Sequence, residues 1–251
     1  TDINITLGDI AEEEEDSTQL NWIVKLHHGG IENCRIGLNM PNDTMSADLS
    51  IGKLRLRKGE INLAEEKYGI EAFALSNTAV KYDAGFESRK DAPLNHLEFN
   101  NINLACSNIG YSPDSTKLDI DRFTIVQPGG IRITNTSASL FADKSHLDVK
   151  RFTVNSKNGS YINLHTQIPW NALLTDGIES LKADLAVGLN KKDFKALLTE
   201  QQFEALDIFD DNLLNSTFAV EGNMSFMDID TIEISIPSIA DLHAKGYAKN
   251  L

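Results

Sequence analysis

The sequence has no long apolar run and very little cysteine. No stretch of about 18 apolar residues occurs, so no segment is expected to cross a membrane as a helix. No charged-then-apolar leader is present, and a start at Thr1 rather than Met indicates a mature fragment or an excised piece of a longer protein. The 2 cysteines, Cys34 and Cys106, are too few for a disulfide framework and lack metal-ligand spacing. We therefore expect two buried free thiols, with one disulfide between them as the alternative.

Basic residues are also scarce. The 23 Lys and Arg side chains face 37 Asp and Glu, a formal net charge of -14. This balance argues against a nucleic-acid partner, because a phosphate backbone is bound by a basic face. It argues equally against docking on an anionic bilayer surface. With 41% hydrophobic and 24% charged residues among 251, the chain is expected to be globular and to bury a core as one elongated all-β domain.

Catalytic motifs are missing as well. The sequence contains no Gly-x-Ser-x-Gly elbow, no Gly-rich phosphate loop and no His-Glu-x-x-His pair. Its 6 histidines are scattered. The acidic run Glu12 to Asp16 lacks the alternate spacing and the Gly turn of a calcium loop. We predict no enzymatic activity, no cofactor and no metal site.

What the sequence does contain is an eight-residue repeat, apolar-x-apolar-x-x-apolar-x-apolar. The clearest copies are LDIDRFTI at 118–125 and LDVKRFTV at 147–154. Looser copies are VKLHHGGI at 24–31, LSIGKLRL at 49–56, FALSNTAV at 73–80, LEFNNINL at 97–104 and MDIDTIEI at 227–234. The starts from 24 to 147 are separated by 25, 24, 24, 21 and 29 residues, as in repeat architectures. Each half of the repeat alternates with period 2, which predicts a β-strand with one apolar face.

The spacing predicts an antiparallel meander, with two strands of about eight residues and two turns in each step. Turns or interruptions are predicted where Gly and Pro cluster. They are Gly29-Gly30 (followed by a return strand over Ile36 to Met40), Lys58-Gly59, Ser112-Pro113-Asp114 and Pro128-Gly129-Gly130. Ile133 and Ala138 keep the same face only if one residue pair near Asn135 is bulged.

The polar pair inside each repeat needs a structural explanation. A plain strand with apolar residues at 118, 120, 123 and 125 would send the second pair to the opposite face. If the sheet were covered on both faces, the two apolar pairs could lie on opposite faces and pack into two separate cores. A β-bulge at Asp121-Arg122 would instead return all four side chains to one face and bend the strand. We favour the bulge, because its repetition in strand after strand would curl the sheet into a trough with an apolar wall.

The chain changes character after Ile168, so 1–168 is predicted as the repeat sheet and 169–251 as its continuation with a helical insertion. A short helical turn is expected within 169–176, starting at Pro169. Two short helices are expected within 191–213, the first capped by Asn190 and the second by a Thr199/Gln202 capping box. This insertion could act as a plug or lid against one face, or as a simple end cap.

Taken together, these features resemble the TamB family within the AsmA-like group of envelope proteins, with a Bacteroidetes-like character. The resemblance covers most of the chain. It rests on the recurring LxhxxFxh strands, where h is a hydrophobic residue, and on NWIVKLHHGGIENCRI, in which a strand that begins with Trp is followed by its partner strand. It also rests on the short helical insertion after Pro169-Trp170 and on the closing stretch IEISIPSIADLHAKGYAKNL. It implies a long sheet folded into a U-shaped, taco-like groove in the periplasm, in a protein anchored in the inner membrane. It also implies phospholipid transport to the outer membrane and, with an outer-membrane barrel protein, assembly of outer-membrane proteins. We expect the N-terminal anchor and the barrel-contacting part to lie outside this sequence.

The resemblance implies acyl lipid as the ligand, bound by apolar side chains of the repeats. The predicted groove lining is Leu49, Ile51, Leu54, Leu56, Phe73, Leu75, Leu97, Phe99, Ile102, Leu104, Leu118, Ile120, Phe123, Ile125, Leu147, Val149, Phe152 and Val154.

Three alternatives remain open at the level of the sequence. The same apolar residues could close on each other as the dry core of a sandwich. A secreted parallel β-helix that binds or cleaves polysaccharide also repeats every 20 to 30 residues or so, although its strands run parallel. A purely structural envelope scaffold is the third alternative.

Overall fold

One sheet runs through the whole chain. The computed structural model describes residues 2–5, 22–40, 44–209, 213–237 and 239–251, and its 13-stranded sheet follows the order of the sequence. The strands are β1 (Asp2–Ile5), β2 (Ile23–Met40), β3 (Met45–Asn62), β4 (Lys67–Ala84), β5 (His96–Ser112), β6 (Ser115–Val126), β7 (Arg132–Asp143), β8 (His146–Ser156), β9 (Tyr161–Pro169), β10 (Leu181–Leu189), β11 (Leu214–Gly222), β12 (Phe226–Ile236) and β13 (Ala240–Lys249). From β2 onwards all neighbours are antiparallel, whereas β1 pairs in parallel with β2. The predicted all-β, mostly antiparallel class is confirmed, and the sheet is not closed into a barrel.

The predicted strand length is wrong for the first part of the sheet. Strands β2, β3 and β4 have 18 residues each and β5 has 17, so each early repeat step holds one long strand and not two short ones. Strands β6 to β13 are shorter, with 9 to 12 residues. The step from 118 to 147 does contain two strands, β6 and β7.

Two predicted interruptions are therefore continuous strand. Gly29-Gly30 lies inside β2 and Lys58-Gly59 inside β3, and the pairing of β2 with β3 keeps one register past both positions. Glycine did not mark a turn here because the residues before and after it pair with a neighbouring strand. Gly29 is also constrained by packing, since a Cβ there would lie 3.0 Å from Leu26 Cδ2.

The turns predicted around Pro113 and Gly129 are confirmed. Between β5 and β6, the Ser112 hydroxyl accepts hydrogen bonds from the Asp114 and Ser115 amides at 3.3 and 3.0 Å. Between β6 and β7, Gly129 adopts φ 76°, a conformation that suits glycine. The acidic run Glu12 to Asp16 lies outside the described residues.

The polar pair of the repeat is a β-bulge, as predicted. In β6, Ile120 pairs with Cys106 and Arg122 with Ala105, which leaves Asp121 as the extra residue. In β8, Lys150 is the extra residue at the same repeat position. Register shifts also fall at the polar pairs 76–77, 100–101 and 230–231, and at the predicted position near Asn135. The interpretation with two cores is thus wrong, because each bulge restores the apolar residues to one face.

Asparagine supplies the left-handed backbone at several of these irregularities. Asn77, Asn101 and Asn108 have φ of 51° and Asn33 has 53°. In the register of β3 with β4, Gly52 faces Asn77, and a Cβ at Gly52 would lie 2.7 Å from the Asn77 carbonyl oxygen. At this point the irregularities of β3 and β4 align, and only a glycine fits at position 52 beside Asn77.

The helical predictions are confirmed where the structure describes them. A 3₁₀ turn spans Trp170–Leu173, and α1 (Lys191–Phe194) begins after Asn190, whose side chain accepts from the Lys192 amide. In α2 (Glu200–Glu204), Thr199 and Gln202 form both bonds of the capping box. Further 3₁₀ turns cover Pro93–Asn95, Lys195–Leu197 and Asp207–Phe209.

The left-handed residue of the β5 bulge generates a test of the fold. We expect Asn101→Val to reduce the free energy of unfolding by about 1–2 kcal/mol, because a β-branched residue is strained at positive φ. Asn101→Gly should be neutral or slightly stabilising. The Asn101 side chain is exposed, so the effect reports on the backbone.

Urea denaturation measures these differences. The matched control is Asn39→Val, at an exposed strand residue without positive φ, which should leave stability unchanged. Equal stability of the Val and Gly variants at 101 would show that the bulge is not fixed at this residue.

Candidate functional site

The bulges create one continuous apolar face. The repeat reads the same in both directions, so antiparallel copies can match apolar residue with apolar residue. Directly paired residues share a face of the sheet. One such row crosses twelve strands as Gly29, Leu56, Phe73, Cys106, Ile120, Ala138, Phe152, Leu164, Leu185, Phe218, Ile232 and Ala244. We call the side that carries this row the apolar face, and the other side the polar face.

Every residue of the predicted groove lining lies on the apolar face. Leu118, Ile120, Phe123 and Ile125 share it because the bulge at Asp121 separates the two halves of their repeat. The prediction stopped too early along the chain, since β9 to β13 extend the same face. Residues that it missed include Val80, Ile162, Val187, Val220, Ile229 and Ile234. Their period-2 alternation was the available signal.

Three threonines interrupt this face. Thr78, Thr136 and Thr166 are 2%, 5% and 5% exposed. Thr166 donates to the Lys182 carbonyl at 2.8 Å, but the Thr78 and Thr136 hydroxyls have no hydrogen-bond partner among the described residues. Thr78 occupies an apolar position of the repeat copy FALSNTAV at 73–80, whereas no sequence pattern identified Thr136 and Thr166.

The apolar face is only half-buried. In β2 and β3 it exposes 47% of Val24, 45% of Ile31 and 43% of Ile61. Fully buried apolar residues are few, and those of the described chain are Cys34, Ile51, Cys106, Ala138, Val149, Ala172 and Leu181. In the part of the chain that the structure describes, all strands belong to one sheet, so no second sheet covers this face. A sandwich core is therefore not formed within these residues.

Both cysteines belong to the apolar face. Cys34 pairs with Ile51 and Cys106 with Phe73, and the two thiols are free and buried, as predicted. Burial raises the pKa of the Cys106 thiol, and the nearby Asp121 charge adds to this. The site thus holds a neutral, poorly reactive thiol in an apolar surface.

The polar face is covered with ion pairs. Lys53 pairs with Glu32, and both Arg57 and Lys58 pair with Glu71, at 2.9 and 2.6 Å. The hydrogen bond from Lys58 is the largest cause of the lowered pKa of Glu71. Such exposed pairs add little stability. Their main consequence is that this face is well hydrated.

The helical insertion is anchored beside the apolar face. Asp193 is 1% exposed and accepts hydrogen bonds from Ser156 Oγ and from Asn158 Nδ2, the latter at 2.8 Å. Ser156 pairs with Ile133 and so lies on the apolar face. Ala196 packs against Gly130, where an added Cβ would lie only 2.6 Å from the Ala196 Cβ. The insertion therefore covers the strand ends on the apolar side.

His96 stabilises the loop between β4 and β5 at the same strand ends. Its Nδ1 lies 3.0 Å from Asp83 Oδ1 and its Nε2 lies 2.7 Å from the Glu87 carbonyl oxygen. Both ring nitrogens face acceptors, so the protonated ring satisfies both. The Asp83 carboxylate, followed by the Glu87 carbonyl, raises the pKa of His96 above 6.5.

In the described residues no group of three or more His, Cys, Asp or Glu side chains is placed to hold a metal ion. The helices of the described chain include none with the length and apolar character needed to span a membrane. The chain matches no protein-family model, no curated protein and no solved structure at a significant level.

The His96 contacts generate a prediction on pH dependence. Since the folded-state pKa is raised above 6.5, the stabilisation is fully present below 6.5 and is lost as the pH rises through the raised value. We expect His96→Gln to lower the unfolding free energy more at about pH 5.5 than at about pH 8.5. Urea denaturation at both pH values checks this.

The control is His165→Gln, which removes an exposed histidine of the polar face, 3.8 Å from Asp184. Its effect on the unfolding free energy should be small, because the pair with Asp184 is exposed and longer than a hydrogen bond. A His96→Gln effect that grows as the pH rises would contradict the assignment.

Proposed function

We propose that this chain is a lipid-conduit segment of a TamB-like protein. In this proposal its apolar face binds acyl chains during phospholipid transport to the outer membrane, during assembly of outer-membrane proteins, or both. The observation that carries the proposal is the apolar row over twelve antiparallel strands, on which no second sheet lies within the described residues. Such a face needs a nonpolar covering, since exposed apolar patches of this extent mark binding surfaces.

The irregular positions support a groove. Each bulge bends its strand, and the long strands β4 and β5 carry two irregularities, one near Asn77 or Asn101 and one near Glu71 or Asn108. A strand of 18 residues is about 60 Å long. Bent twice towards the apolar face, such strands would form the floor and both walls of a trough. Strands β6 to β13, with 9 to 12 residues, would form a shallower one.

The energetics of binding are favourable for acyl chains. Each methylene transferred from water to an apolar surface contributes about 0.8 kcal/mol. The predicted groove lining is made of Leu, Ile, Val and Phe, interrupted by single threonines such as Thr78, Thr136 and Thr166. Such a surface suits a ligand recognised by its apolar chain. The charged polar face would keep the segment hydrated in an aqueous compartment, here proposed to be the periplasm.

The strand directions weigh against the alternative of a secreted parallel β-helix that binds or cleaves polysaccharide. A parallel β-helix requires parallel coils, whereas β2 to β13 are antiparallel. The outer-membrane barrel partner and the inner-membrane anchor rest on the family resemblance alone.

Lipid extraction and native mass spectrometry of the purified chain test the proposal. We expect co-purified phospholipid, and its loss by roughly tenfold in Phe99→Asp or Ile120→Asp, because a carboxylate desolvated beside acyl chains costs several kcal/mol. Both residues lie on the apolar face.

The matched control is Lys117→Asp, on the polar face of β6, which should retain the wild-type amount of lipid. Absence of lipid from the wild-type protein, or equal retention of lipid in all variants, would contradict the lipid-conduit proposal. It would favour the alternative of a purely structural envelope scaffold.

A further inference from the structure

A cleft with walls of opposite charge lies where the insertion meets the loop between β4 and β5. It has a volume of about 430 Å³. Its lining is Arg89, Lys90, Pro93, Lys195, Ala196, Leu198, Thr199, Glu200, Phe203, Glu204 and Asp207. A cleft of this size is typical of small-molecule sites.

The cationic part of the lining is free to bind a ligand. Arg89, Lys90 and Lys195 form no ion pair with a carboxylate among the described residues, although the chain has an excess of acidic groups. The backbone holds the first two in place, because the Asp91 and Ala92 amides both donate to the Ser88 carbonyl at 3.0 Å. Lys195 lies over the Phe203 ring, with Nζ 5.4 Å from the centroid.

The acidic part is likewise unpaired. Glu200 and Glu204 are four residues apart in α2, so they share one side of that helix. Neither forms an ion pair within the described chain, and Asp207 is neutralised by Lys191 at 2.9 Å. The free cations and the free carboxylates thus line one cleft without reaching each other, which leaves room for a ligand that carries both charges.

The cleft adjoins the apolar face. Pro93–Asn95 leads directly into β5, where Leu97 and Phe99 are apolar-face residues. On the other side, Ala196 packs on Gly130, just after Ile125 at the end of β6. A head group in the cleft would therefore place its acyl chains on the apolar face.

From this juxtaposition we infer that the cleft binds the zwitterionic phosphoethanolamine head group of a phospholipid, with the phosphate held by Arg89, Lys90 and Lys195 and the ammonium by Glu200 and Glu204. The inference rests on the proposed function and adds selectivity to it. Charge-assisted hydrogen bonds to phosphate and ammonium are the strong polar contacts in such a site.

The experiment is lipid competition on the full chain, read by native mass spectrometry. Phosphatidylethanolamine, phosphatidylglycerol and diacylglycerol with identical acyl chains are offered together. We expect the wild-type protein to retain phosphatidylethanolamine about tenfold over phosphatidylglycerol, the size of one charge-assisted contact. The double variant Glu200→Gln/Glu204→Gln should remove this preference.

The double variant Arg89→Gln/Lys195→Gln should lower retention of both phospholipids about tenfold relative to diacylglycerol, which has no phosphate. Lys182→Gln and Glu221→Gln are the matched controls, since these residues pair on the polar face of β10 and β11. Both controls should keep the wild-type preference. All four charged positions of the double variants are solvent-exposed, so the variants should fold.

The outcomes separate the two proposals. Retention of diacylglycerol together with equal retention of the two phospholipids would overturn the head-group site and leave the acyl groove standing. Failure to retain any of the three lipids would overturn the proposed function, and the head-group site with it.

Titration with soluble phosphoethanolamine and with inorganic phosphate forms a separate arm. Binding of either compound without retention of the lipids would assign the cleft to a soluble ligand and overturn the lipid head-group site.

Discussion

A single extra residue in the repeats of β6 and β8 decides the character of this protein. Without the bulge at Asp121 or Lys150, the apolar residues of each repeat would divide between both faces of the sheet. With it, they lie on one face, and the charged pair turns towards solvent on the other. The bulge also bends the strand, so the residue that sorts the side chains also curves the surface that they form.

The resulting face is unusual for a monomeric protein because its apolar side chains are half-exposed and no second sheet covers them within the described chain. Exposing such a surface to water is unfavourable in free energy, and a bound acyl chain would remove that unfavourable contribution. The opposite face, with ion pairs such as Lys58 with Glu71, keeps the sheet hydrated and discourages its stacking on another sheet. A sheet of this kind is suited to holding a ligand along its length, and less suited to forming a closed core.

The insertion adds a local feature to an otherwise repetitive surface. It is fixed through buried Asp193 to the turn between β8 and β9, and it reaches Gly130 and the loop that carries Arg89. Under the proposed function, the repeats would supply apolar surface that does not distinguish one diacyl lipid from another. Charged groups at the strand ends would make that distinction, because phosphate and ammonium differ in sign while acyl chains do not.

The sequence by itself determined the alternation within the strands, the bulged pair, the helix caps and which residues of the repeats share the apolar face. These depend on local rules: period 2 within each half of LDIDRFTI, an Asn or Thr before a helix, and a Pro or Gly in a tight turn. Only the tertiary structure decided that Gly29 and Lys58 continue their strands, because a glycine ends or continues a strand according to whether a neighbouring strand binds its flanks. It also decided that Arg89 and α2 line the same cleft, although they are about a hundred residues apart and leave no local trace of this in the sequence.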